Sequence, residues 1–233
     1  MSVLEISGHR ITCEIKRRGV RHIYLKLKPG FRLEVILPYH SGISAAGILE
    51  KKRPWIEKKV KEISKAKKIF DGETIFYKGE PRKVTVYPAK KPAKVSSPAK
   101  KPRKQVRLYK NVIHVYENSG KRRDKLLIDF ITGQTICYVE EKARKVSNEL
   151  GLFYNSIGTK EMKKWGYCTK NGGLFFNWRL ICLPERLADY IIFHEILHLK
   201  HFNHSKRFKK DLTRYFGDHK EAETMLKNYL LAE

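Results

Sequence analysis

The stretch HEILHLKHFNH, His194 to His204, holds four of the chain's nine histidines in eleven residues, with Glu195 directly after the first. His194 and His198 are four apart, which on an α-helix sets them on one face about 6 Å from each other. Two imidazoles so placed reach one Zn2+ together. Glu195 then projects beside the ion, where it can act as base toward a water that the metal has made acidic. A catalytic site of this kind needs a third protein ligand. His201 continues the stripe, but a straight helix would string His194, His198 and His201 along about 10.5 Å of rise, too far for one tetrahedral ion. On a continued helix His204 would sit about 240° round from His198 and point away. Asn203 tolerates the left-handed conformation that ends helices, so a stop near Phe202 lets the chain turn His204 back, with Ser205 capping the next helix. His204 is the expected third ligand, Glu221 or Glu223 the alternative, and His201 a surface or supporting residue.

The helix that carries these groups is itself unusual. Ile191, Ile192, Ile196, Leu197 and Leu199 surround them, the composition of a helix buried on most of its circumference. Ionisable groups inside such a helix require partners, and a metal supplies them. Pro184 opens the helix. Before it, MKKWGYCTKNGGLFFNWRLICLP reads as two apolar runs around the turn Lys170-Asn171-Gly172-Gly173, a hairpin, with the second strand spanning Leu174–Cys182. Two short helices follow, about Lys206–Phe216 and His219–Leu231.

The rest of the chain supplies the frame. His22–Pro38 alternates apolar and polar residues around Lys28-Pro29-Gly30 and predicts a β-hairpin. Helical spacing follows from about Ser44, with Pro54 in the first turn of a second helix and Trp55, Ile56, Val60 and Ile63 as its stripe. DGETIFYKGEPRKVTVY predicts two strands around Lys78-Gly79-Glu80-Pro81. A strand near Val112–Tyr116 and a helix over Lys121–Leu150 come next, with Gly133 a point of interruption and Gly151 the C-terminal cap. Between them, Pro88 to Arg107 carries four of the nine prolines, eight basic residues and no acid, and reads as a basic linker or insertion. The division expected is residues 1–87, a β-rich N-terminal region; 88–107, the linker; and 108–233, the domain with the histidines.

Fifty Lys and Arg against 24 Asp and Glu give a formal charge of +26, which points to a polyanionic partner such as non-specifically bound nucleic acid. The four cysteines form no CxxC pair, and buried free thiols in a reducing compartment fit them. No signal-peptide pattern and no run of membrane-spanning length is present, so a soluble cytoplasmic protein with no membrane association is expected.

The segment from Met162 to Phe208 resembles the YgjP-like metallopeptidases, relatives of the SprT-like and WLM zinc proteases. The resemblance rests on a Trp-Gly-x-Cys run, a glycine turn, an Asn-Trp-Arg-Leu run, HExxH and a histidine six residues later. It extends to the His22–Pro38 hairpin, Pro54-Trp55-Ile56 and the Asp71–Gly79 run, leaving out Pro88–Arg107. It implies Zn2+ on His194, His198 and His204 with Glu195 as general base, in a zincin-like domain of an α+β protein. The implied reaction is hydrolysis of peptide bonds in a protein or peptide through a metal-activated water. A substrate would lie extended on Leu174–Cys182 or its partner Lys164–Cys168, with Asn177 and Arg179 as candidate binding residues. Two other classes remain open: a metal-dependent hydrolase of a non-peptide substrate such as a nucleotide, and a nucleic-acid-binding module with a vestigial zinc site.

Overall fold

The structure is a computed structural model that describes residues 2–28, 30–39, 42, 44–89 and 105–231. It is an α+β protein, and its described residues form two compact units, 1–67 with 227–233, and 68–226.

In the first unit, β1 (Ser2–Ile6), β2 (His9–Arg18), β3 (Tyr24–Lys28) and β4 (Arg32–Pro38) make one sheet in the order β1-β2-β4-β3. The expected hairpin is β3–β4, with Leu25 opposite Val35 and Leu27 opposite Leu33. Its apolar face explains the helices that follow, α1 (Ala45–Lys51) and α2 (Arg53–Lys65). Leu33, Val35 and Leu37 pack into one core with Ile48, Leu49, Ile56 and Val60. Pro54 stands in the first turn of α2, where its missing N–H has no partner to lose. The chain returns to this unit at its end: the Lys67 N–H donates to the Asn228 carbonyl at 2.7 Å, beside the short pair of β5 (Lys67–Lys68) and β13 (Tyr229–Leu230).

The second unit begins with a sheet of β6 (Thr74–Tyr77), β7 (Glu80–Tyr87), β8 (Val106–Tyr109) and β9 (Val112–Tyr116), in the order β6-β7-β9-β8. Lys78 and Gly79 join β6 to β7 with φ of 52° and 83°, the doubly left-handed turn that suits a tight hairpin. The expected border at residue 87 is corrected here. β7 pairs in parallel with β9, Val84 opposite Ile113, so the β6–β7 hairpin belongs with the histidine-bearing unit and the division falls at Lys67. The expected linker is also shorter at its end, since Val106 and Arg107 lie in β8; residues 90–104 fall outside the described residues.

α3 (Arg123–Leu150) runs unbroken through Gly133 and ends on Gly151, whose φ of 63° is the left-handed cap. A second sheet has β10 (Ser156–Lys160), β12 (Gly173–Asn177) and β11 (Gly166–Cys168) in the order β10-β12-β11. The strand expected to reach Cys182 stops at Asn177 and gives way to a 3-10 turn, Leu180–Cys182. Three helices complete the unit: α4 (Glu185–Leu197), α5 (Lys206–Phe216) and α6 (His219–Leu226).

The start of α4 is seated by the tip of the β6–β7 hairpin. The Lys78 N–H donates to the Ile181 carbonyl at 2.7 Å and the Gly79 N–H to the Cys182 carbonyl at 3.2 Å. Only glycine fits at 79, because a Cβ there would stand 2.9 Å from Pro184 Cα. α3 holds the same helix from the side: the Tyr138 hydroxyl donates to Asp189 at 2.6 Å and Lys142 pairs with it at 2.8 Å. Cys13 and Cys182 are buried as expected, whereas Cys137 is exposed on α3. Among the described residues, no helix is long and apolar enough to cross a membrane.

Candidate active site

α4 is buried nearly all round, with Leu187, Ala188, Ile191, Ile192, Phe193, Ile196 and Leu197 in the core, as its composition requires. It ends at Leu197, earlier than the expected stop near Phe202. The N–H groups of His198, Leu199 and Lys200 bond back three residues instead of four, which tightens and then terminates the helix. The chain turns, and Ser205 caps α5 by accepting the Phe208 N–H. That reversal brings His204 back over α4. The ligand nitrogens of His194, His198 and His204 lie within 4.8 Å of one another, with the Nε2 atoms of His194 and His204 only 2.9 Å apart.

The outer sides of these rings are engaged. His198 Nδ1 donates to the His201 carbonyl at 2.8 Å, and because a carbonyl only accepts, the neutral ring keeps its lone pair on Nε2. The Tyr190 hydroxyl donates to Glu223 at 3.1 Å and so accepts from His194 Nδ1 at 3.3 Å, which leaves Nε2 of that ring as the free nitrogen too. Burial, then the neighbouring His198, His204 and His219, hold the His194 pKa down to about 3. Burial also lowers that of His198. Both rings are neutral at physiological pH, the form that ligates metals. Buried Phe208 lies beneath all three imidazoles, its centroid 5.0 Å from His194, 4.8 Å from His198 and 4.9 Å from His204.

Glu195 lies in the same cleft and reaches β11. Its carboxylate accepts the Cys168 backbone N–H, yet burial outweighs that bond and raises its pKa to about 7. Gly166 makes the approach possible, since a Cβ there would stand 2.9 Å from Glu195 Cγ. Between β11 and the histidines lies a cleft of about 580 Å3, walled by Lys164 and residues 166–170 on one side and by His194, Glu195, His198, Phe202 and His204 on the other. β11 is the edge strand of its sheet.

His201 does not join the cluster; its Nε2 meets Asp211 at 2.8 Å. Nor do the alternative ligands, since Glu221 pairs with Arg186 at 2.9 Å and Glu223 holds Tyr190. Asn177 and Arg179, the expected substrate-binding residues, do not line the cleft. Asn177 is fully buried and donates its amide to the Met162 and Lys164 carbonyls, at 2.6 and 3.4 Å, while Arg179 pairs with Glu161 at 2.6 Å and lies over Trp178. Together they tether the segment that leads into β11. The roles of Gly166, Tyr190 and Phe208 could not be read from the sequence, and Glu223, expected there as an alternative ligand, holds Tyr190 instead. The one local sign was Tyr190 standing four residues before His194 on the same helix face.

Three ring nitrogens converge beside a buried carboxyl, an arrangement that could hold a metal ion. The comparisons narrow the class: a model of the YgjP-like metallopeptidase domain matches residues 21–229, and the chain belongs to that family. Two solved structures are similar over part of it. One is the metallopeptidase zymogen jannalysin of Methanocaldococcus jannaschii, 25% identical, covering 38% of this chain and 85% of that one at a TM-score of 0.33. The other is the metallopeptidase zymogen abylysin of Pyrococcus abyssi, 24% identical, covering 40% of this chain and 99% of that one at a TM-score of 0.35. No curated protein matches significantly.

Proposed function

We propose that the protein is a zinc-dependent peptidase of zincin-like architecture, with His194, His198 and His204 as ligands and Glu195 as general base. The observation that carries this reading is the convergence of three Nε2-bearing rings, two of them fixed from behind by the His201 carbonyl and Tyr190, next to a carboxyl whose pKa is raised to about 7. A donor set of three imidazoles with no cysteine suits Zn2+ in a site that keeps an open position. Bound there, zinc supplies a Lewis acid toward a carbonyl and makes an adjacent water acidic enough to attack near neutral pH. Glu195 takes the proton of the attacking water and passes it to the amine nitrogen as the C–N bond breaks. The groups on the open side of β11 other than the Cys168 N–H, which Glu195 takes, offer an extended peptide a strand to pair with, which supports a protein or peptide substrate over a compact one.

The test couples metal content to turnover. His194→Ala, His198→Ala and His204→Ala should each lose zinc while His201→Ala keeps it, and Glu195→Gln should keep zinc but lose peptide hydrolysis by at least ~10²-fold. A nucleotide-hydrolysis assay runs beside the peptide library. Zinc retained by His204→Ala, or nucleotide turnover without peptide turnover, would sink the reading.

A further inference from the structure

The sheet β6-β7-β9-β8 has two faces of opposite character. Ile113, Val115, Ile75 and Val106 are buried on the inner one, where Tyr77 donates to Gln134 of α3 at 3.0 Å. The period of two puts Lys83, Thr85 and Tyr87 of β7, His114 and Tyr116 of β9, and Arg107 and Tyr109 of β8 on the outer face. Four of these are rings, and they form one cluster. His114 is 4.8 Å from Tyr87, 6.1 Å from Tyr109 and 6.4 Å from Tyr116, and Tyr87 is 5.8 Å from Tyr116. The cluster is open to solvent, with Tyr109 61% and Tyr87 38% exposed. Lys110 lies 5.7 Å from the Tyr109 ring, and Arg107 stands opposite His114. Among the outward residues of these strands that register places on this face, none is acidic.

Cross-strand aromatic pairs stabilise sheets, but that task is served by rings that cover one another. Here Tyr87 and Tyr109 stay exposed, His114 and Tyr116 are half-buried between the strands, and cations flank them. We propose that this face binds single-stranded nucleic acid, with bases stacked on Tyr87, Tyr109 and His114 and the backbone phosphates held by Arg107 and Lys83. Every base has a π-face, so such a platform is tolerant of sequence, and the positive rim complements the phosphates. Duplex DNA offers its phosphates but hides its base faces, so charge alone and stacking are separable. The proposal is independent of the peptidase reading.

Binding of labelled dT and rU dodecamers, and of a duplex of equal length, is measured by fluorescence anisotropy with full-length protein over a series of salt concentrations. Polyglutamate serves as competitor. Tyr109→Ala and Tyr87→Leu should each weaken single-strand binding, by roughly 5- to 150-fold per stacked base, with little change in salt slope. Arg107→Gln should instead flatten the slope by ~0.7 per lost phosphate contact. Melting temperatures of the variants show that the sheet is intact, and Tyr109→Phe, which keeps the ring, should bind as the parent does. Tight binding of either dodecamer over duplex supports the proposal. Equal affinity for duplex, displacement by polyglutamate at equal charge, or folded tyrosine variants that bind normally would overturn it.

Discussion

Replacing Gly166 with alanine adds a single methyl at the point where β11 meets Glu195, the proposed general base. That Cβ would lie 2.9 Å from Glu195 Cγ, 3.1 Å from Phe176 Cδ1 and 3.4 Å from Glu195 Cδ. Carbon atoms rest at about 3.5–4.0 Å, so a displacement of roughly 0.6 Å or more is required. Phe176 is fully buried on the central strand of its sheet and has nowhere to go. The movement therefore falls on the Glu195 carboxylate and on its bond from the Cys168 N–H. A misplacement of about 1 Å in a catalytic group costs on the order of 10²-fold, so Gly166→Ala should lower kcat/KM by roughly 10- to 100-fold. Overpacking of this size costs about 1–3 kcal/mol, or about 2–12 °C in Tm for a chain of this length. Metal content should not change, because the new methyl touches no histidine. Gly158→Ala on β10 is the control: its Cβ would meet only Phe175, at an ordinary 3.6 Å, and its rate should stay within about twofold of the parent. Peptide turnover, zinc per chain and Tm are read for both variants. Full activity in a folded Gly166→Ala protein, or loss of its zinc, would refute the argument that this glycine exists to admit Glu195.

Tyr190→Phe removes the hydroxyl between Glu223 and His194 and should weaken zinc affinity by about 10- to 100-fold, measured by chelator competition; unchanged affinity would mean that the hydroxyl does not orient the ring. A pH effect follows from Glu195 in metal-stripped protein. Its folded pKa of about 7 lies above the ordinary value of 4.5, so between those limits the unfolded chain releases a proton that the folded one keeps, and stability falls as pH rises. Glu195→Gln abolishes this loss. Between pH 5 and pH 8 the variant should gain on the parent by on the order of 3 kcal/mol in urea denaturation, and a difference that stays constant with pH would count against a raised pKa.

The site's elements were more legible than their meeting points. The apolar girdle of α4 and the spacing of His194 and His198 are local facts, as is the capping signal of Ser205. So are the β3–β4 and β6–β7 hairpins, each written in alternation around a turn. What could not be read depends on partners far along the chain. β8 is four residues at the end of a lysine- and proline-rich run, and only its pairing with β9 makes it a strand. The parallel pairing of β7 with β9 moved the border from residue 87 to Lys67. Asn177 and Arg179 looked available for a ligand because the Met162 carbonyl and Glu161, which occupy them, lie at least fifteen residues away. Asp211 removes His201 from the cluster in the same non-local way, ten residues on.

The parallel β7–β9 pair also bears on the connection between β7 and β8. Tyr87 ends β7 opposite Tyr116, and Val106 begins β8 opposite Val115, so both lie at the same end of the sheet with β9 between them. Two strand spacings separate β7 from β8, roughly 10 Å, a gap that three or four extended residues would bridge. The chain uses eighteen, residues 88–105. Closing a connection about five times longer than that minimum costs only about 1.5 kcal/mol in chain entropy. The connection also departs from the end of β7 opposite the Lys78–Gly79 turn that seats α4, some seven residues or about 23 Å along the strand. The two ends of the connection, at Tyr87 and Val106, are therefore fixed by the β7–β9–β8 pairing, a strand's length away from the turn that seats the metal-site helix.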